Sequence, residues 1–148
     1  MAIIRGELLQ QVSRQPAAHA LLMLRAESGE SWYGISDAEG LFSIVFPYPE
    51  LQEGFAASPF DGSSGALSEQ NWNLMLSVFY SPANLQLLPG TDIPNYLSIL
   101  HQRAAEIWPQ SPSNGGIPVE KISVTLVYQQ LAVIKTEGLP QLLISPLP

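Results

Sequence analysis

Apolar and polar residues alternate along much of this chain with a period of two, the spacing that sends successive side chains to opposite faces of a β-strand. In 41–46, LFSIVF, residues Phe42, Ile44 and Phe46 fall on one face. In 71–80, NWNLMLSVFY, the set is Trp72, Leu74, Leu76, Val78 and Tyr80. The same alternation in VEKISVTLVY predicts a strand over 119–128, with 131–136 folded back on it as a hairpin and a short last strand over 142–145. Nearer the N-terminus, 3–12 predicts a strand in which Gly6 marks a bulge or a close backbone approach. Residues 19–26, HALLMLRA, predict a strand buried on both faces near its middle, and 32–36 another. Arg14-Gln15-Pro16 and Glu27-Ser28-Gly29-Glu30 supply turns between them.

One stretch changes period. Over 93–108, Tyr96, Leu97, Leu100, Ala104 and Ile107 form a helical stripe, with Asp92 as N-cap, Pro94 in the first turn and Pro109 as the stop. Pro47 and Pro49 end the strand before them, because proline has no N–H for the ladder. Residues 50–70 then form a long loop rich in Gly, Ser, Ala and Pro, and a loop of that length in a compact domain is commonly functional. The pattern predicts a mainly β protein: an antiparallel β-sandwich of about seven to eight strands with one inserted helix near 93–108. It predicts a single domain over 1–148, with 50–70 and 81–118 as insertions between strands.

The turn Asp37-Ala38-Glu39-Gly40 separates 32–36 from 41–46. An Asp side chain can accept hydrogen bonds from the backbone N–H groups of its own turn, and Gly supplies positive φ. Asp37 and Gly40 are therefore read as structural turn residues, closing a tight hairpin. Together, Ile4-Arg5-Gly6, the small and apolar residues 18–24, and the run from Trp32 through Asp37 and Gly40 to Phe42 resemble the prealbumin-like, or carboxypeptidase regulatory-like, sandwich domains. The resemblance covers about the first third of the chain and implies a Greek-key sandwich. It says little of function, because such domains serve as appendages, adhesion modules and assembly parts. Two departures are the Pro47-Tyr48-Pro49 stop and the insertion with its helix. More loosely, the layout resembles accessory components of phage-tail-like contractile injection particles, in the baseplate or cap region.

Composition narrows the function. Of 148 residues 46% are hydrophobic and 13% charged, against about 25% charged in a typical domain. A surface so poor in charge suits a protein covered by partners. The net charge is −7 with six Lys plus Arg, which leaves no footprint for nucleic acid or an anionic membrane. The absence of cysteine removes disulfides, Cys–zinc sites and thiol catalysis, and fits a reducing compartment. The N-terminal residues lack a signal-peptide layout, and no apolar run approaches the ~20 residues of a membrane helix. A cytoplasmic protein is expected, assembled there even if its particle is later released or anchored.

No catalytic constellation stands out. The two histidines, His19 and His101, belong to no metal or triad spacing, and a small hydrolase using His101 as base would need an unrecognised nucleophile. Glu27, Glu30, Asp37 and Glu39 cluster near turns, where some sandwiches bind Ca²⁺. Lys121 and Lys135 are the available partners for a Lys–Asn cross-link of the kind adhesion sandwiches form. Trp32, Tyr33 and Trp72 could stack sugars, which makes a carbohydrate-binding module the alternative. The leading expectation is a non-enzymatic subunit of a larger complex. It would have protein partners, no cofactor, no metal and no small-molecule substrate. The interface expected from sequence comprises Pro47, Tyr48, Pro49, Phe55, Phe60, Leu142, Ile144 and Pro146, with 131–136 and 142–145 as sheet edges open to a partner strand.

Overall fold

The computed structural model describes residues 1–49 and 71–147. It is mainly β, with nine strands in two sheets among those residues. The strands are β1 (Ala2–Gln10), β2 (Leu21–Ala26), β3 (Ser31–Ile35), β4 (Leu41–Phe46), β5 (Asn71–Phe79), β6 (Ala105–Trp108), β7 (Lys121–Val127), β8 (Ala132–Ile134) and β9 (Leu142–Pro146). The first sheet runs β4-β1-β9-β6, with β8 also paired to β1, and the second runs β3-β2-β5-β7. The alternating faces read from the sequence meet between them. Phe42, Ile44 and Phe46 from the first sheet and Trp72, Leu74 and Leu76 from the second belong to one core cluster. A sandwich-like pair of layers follows, because each sheet buries one face and leaves the other to solvent.

β1 is the hub of the first sheet. One of its edges pairs antiparallel with β4 from Ala2↔Phe46 to Glu7↔Leu41. The other is shared by β8, parallel along Ile4 to Gly6, and β9, parallel along Leu8 to Gln10. The first sheet is therefore mixed rather than purely antiparallel. Gly6 is a close approach and not a bulge: the ladder runs straight through it, and a Cβ there would lie 2.8 Å from both the Phe42 ring and the Ile134 carbonyl.

Four expectations need correction. The Asp37–Gly40 turn does not close a hairpin, because β3 pairs with β2 and β4 with β1. The turn carries the chain from one sheet to the other. Its local chemistry is as read: Asp37 Oδ1 accepts from the N–H groups of Glu39 and Leu41, each at 2.9 Å, and Gly40 has φ +80°. In the same way β7 and β8 are not a hairpin, since β7 joins β5 and β8 joins β1. Strand β9 is no edge; it is flanked by β1 and β6.

The helix expected over 93–108 shrinks to α1 (Tyr96–Leu100), whose N-cap is Asn95 rather than Asp92, with Asn95 Oδ1 accepting from Leu97 N at 2.8 Å. Ala104 and Ile107 fit a helical stripe, but Ala105 and Ile107 fit a strand equally well. Pairing with β9 decides the matter, with Ile107 opposite Ile144 and Trp108 Nε1 donating to Ser145 Oγ at 2.9 Å. Among the described residues no helix is long and apolar enough to cross a membrane.

Gly40 and Gly29 offer a test of the inter-sheet turn. Both have positive φ, but a Cβ at Gly40 would collide with the Leu8 carbonyl, whereas at Gly29 nothing lies within 4 Å. Gly29→Ala should cost only the backbone strain, about 1–3 kcal/mol in urea unfolding. Gly40→Ala should cost clearly more, because Leu8 N also donates to Gly40 O at 2.8 Å and must move with it. Equal losses would show that the turn does not constrain β1.

Candidate docking surface

The residues proposed from sequence as an interface are scattered by the fold. Leu142 and Ile144 are fully buried in the centre of the first sheet and cannot meet a partner. Pro146 is exposed at the end of β9, where it pairs with Ala105. Phe55 and Phe60 lie outside the described residues. Pro47 is exposed and Pro49 buried. Tyr48 between them is half-buried and committed inward: its ring stacks on Trp72 at 5.3 Å and tilts against Tyr128 at 4.9 Å, and its hydroxyl accepts from Gln129 N at 2.8 Å. Pro47-Tyr48-Pro49 thus pins the end of the first sheet onto the second.

The aromatics weighed for sugar stacking divide in the same way. Trp72 is buried, and Trp32 stacks on Phe46 at 4.6 Å. Tyr33 remains exposed. The titratable groups are dispersed. Asp37 serves its own turn, and His101 caps the C-terminus of α1 through its backbone. His19 takes a positive φ, and its carbonyl accepts from Gln102. Among the described residues no three His, Asp or Glu side chains group as metal ligands would. Burial raises the Tyr80 phenol above its usual pKa, and Gln10 Nε2 donates to its oxygen at 2.9 Å.

A group of six exposed large apolar side chains lies elsewhere, on the excursion between β5 and β6. Its neck is tied at both ends. Tyr80 N donates to Arg103 O, and Arg103 N donates to Ser81 Oγ, both at 2.9 Å. The buried Gln102 side chain accepts from Ser81 N at 3.0 Å and donates to His19 O at 2.8 Å and Ile99 O at 3.0 Å. The interior is tied too. Leu88 N donates to Ile93 O at 2.8 Å, Leu87 and Pro94 form a bridge, and Ser98 Oγ accepts from Gln86 N at 3.1 Å and donates to Asn95 O at 2.7 Å.

On this hydrogen-bonded backbone, Leu87, Leu88, Ile93, Tyr96, Leu97 and Leu100 are 38–63% exposed. Tyr96 and Leu100 face the outer side of β2 and β3, where with Leu21, Tyr33 and Ile35 they line a groove of about 380 Å³. Sequence reading missed this surface because Tyr96, Leu97 and Leu100 were assigned to the apolar stripe of a longer helix. The available signal was the density of large apolar residues inside a Pro-, Gly- and Asn-rich stretch.

No protein-family model matches the chain, and no curated protein or solved structure is detectably similar to it.

The two roles open to Tyr48, docking and packing, separate by mutation. Tyr48→Phe should lower stability by about 0.5–1.5 kcal/mol through the lost hydroxyl bond, and Tyr48→Ala by roughly 2–3 kcal/mol through the lost stacking. Chemical denaturation measures both. A stable Tyr48→Ala protein would return this residue to the surface-docking set.

Proposed function

We propose that this chain is a non-enzymatic subunit of a larger protein assembly, a prealbumin-like Greek-key sandwich that docks through the excursion spanning 81–103. The observation that carries the reading is the row of six large apolar side chains from Leu87 to Leu100, exposed on a backbone held in shape by its own hydrogen bonds. An apolar surface on a fixed backbone meets a partner with little ordering cost, and burying it at roughly 25 cal/mol per Å² supplies the drive. The low charge content agrees, since partner-covered surface needs few ions for solubility. The assembly class proposed is the contractile injection particle, with the chain as a baseplate or cap component and cytoplasmic until the particle is complete.

A second reading, carbohydrate binding, is favoured by one observation: Tyr33 and Tyr96 are both exposed and line the same groove. Rings of this kind stack on the apolar faces of sugars. A glycan array separates the two readings, because a protein-docking subunit gives no hit that Tyr33→Ala or Tyr96→Ala removes.

The principal experiment is gentle recovery of the tagged protein from its own cells, with native mass and co-purifying chains identified. The wild type should arrive in a large particle containing tube and sheath proteins. The triple variant Tyr96→Ser, Leu97→Ser, Leu100→Ser should arrive as a folded monomer. Its stability should change by no more than about 0.5 kcal/mol at each of Tyr96 and Leu97, which are 63% and 61% exposed, and by more at Leu100, which is 38% exposed and lines the groove beside Leu21. A wild-type chain recovered only as a free 16.1 kDa monomer would overturn the assembly reading.

A further inference from the structure

A second opening lies away from that excursion, on the side of the sandwich where β7 and β8 run. Among the described residues β7 pairs with β5 alone, in register from Asn71↔Val127 to Ser77↔Lys121, and β8 pairs with β1 alone. Their free edges face one another across a cleft of about 280 Å³, lined by Ile122, Ser123, Val124 and Thr125 on one wall and Ala132, Val133, Ile134 and Lys135 on the other. Ile122 and Ala132 are partly buried against the core, so the floor of the cleft is the core itself.

Edge strands carry unpaired N–H and C=O groups, and proteins ordinarily guard them with proline, a bulge or inward charge. From Ile122 to Val127 the β7 edge has none of these; Ile, Val and Thr make it a good pairing template. The ends of the cleft are chemically unlike. Its lining holds no carboxylate and includes Lys135 in one wall; Lys121, the chain's other lysine, immediately precedes the other wall at the start of β7, away from the connecting turn at 128–131. Of the nearby acids, Glu120 precedes Lys121, and Glu137 accepts a hydrogen bond from Gln110 Nε2 at 3.1 Å. On a chain of net charge −7 this is the place where a carboxylate meets ammonium groups and an uncharged wall.

We infer that the cleft accepts an extended strand of a partner protein, added antiparallel to β7 as a fifth strand of the second sheet. Small apolar side chains point to the floor over Ala132, and the acidic C-terminal end of the strand lies beside Lys121 and Lys135. Antiparallel addition continues the pairing of the whole second sheet, where every neighbouring pair is antiparallel. Backbone pairing supplies the affinity, and the lysine end fixes direction. This inference is independent of the apolar excursion and of the assembly reading.

The test uses the full chain and a peptide of about eight residues that alternates threonine and valine and ends in two glutamates. Amide hydrogen exchange resolved by residue is the readout. The peptide should slow exchange of the outward β7 amides, and the same peptide with its glutamates at the N-terminus should bind more weakly. Lys121→Gln with Lys135→Gln, two exposed changes, should weaken binding about five- to tenfold. Binding without β7 protection, or no binding, overturns the inference. Slow β7 exchange in the free protein overturns it as well: concentration-dependent slowing means that a second copy fills the edge, and concentration-independent slowing means that this chain covers it.

Discussion

Everything in the first sheet depends on β1 having partners along both edges. Its inward residues Ala2, Ile4 and Leu8 are fully buried, and they stay so because β4 closes one edge while β8 and β9 divide the other between them. Gly6 permits this arrangement. At that position the Phe42 ring and the Ile134 carbonyl both come so near the backbone that no side chain fits. Where the edge passes from β8 to β9, the intervening turn is tied by the buried Thr136, which donates to Trp108 O at 2.6 Å and accepts from Leu143 N at 2.8 Å. A buried hydroxyl left without either partner would carry its full desolvation cost.

The two sheets are then fastened to each other at opposite ends by different means. At one end the Asp37–Gly40 turn crosses between them, held by the Asp37 carboxylate within the turn and by Leu8 N of β1 donating to Gly40 O. At the other, aromatic rings close the gap, Tyr48 from the first sheet lying between Trp72 and Tyr128 of the second. The excursion between β5 and β6 is fixed by a third means, the buried Gln102 amide. Its oxygen accepts from Ser81 N, and its NH2 group donates to His19 O and Ile99 O. These fastenings use Asp37, Tyr48 and Trp72, three of the residues that looked, taken singly, like candidates for chemistry or docking. The surfaces they leave over are apolar side chains in one place and bare strand edges in another.

That division explains what the sequence could and could not reveal. Period-two alternation identified β4 and β5 almost to the residue, and the inward faces of both, because alternation reports burial directly. The turn chemistry of Asp37 and Gly40 was legible for the same reason: it is local. Partner choice was not. Nothing in 32–46 distinguishes a hairpin from a crossing between sheets, since both need the same four-residue turn. Nothing in 119–136 shows that β7 and β8 part company. The over-long helix arose because Ala105-Glu106-Ile107-Trp108 satisfies both periods, and only a distant strand, β9, resolves the ambiguity. The exposed apolar face of the excursion was missed through the same limit: periodicity marks an apolar face without saying whether anything covers it.

The parallel pairing of β1 with β8 and β9 also orders events during synthesis. β1 is made before its partners, and β4 follows soon enough to pair with it across a short separation. The other edge of β1 must wait for strands encoded much later, β8 and β9, so the nascent protein carries an open strand edge while everything between is made. Closure of the first sheet therefore follows the synthesis of β9. A ribosome stalled before β9 holds a half-built sheet with an edge open to whatever strand it meets.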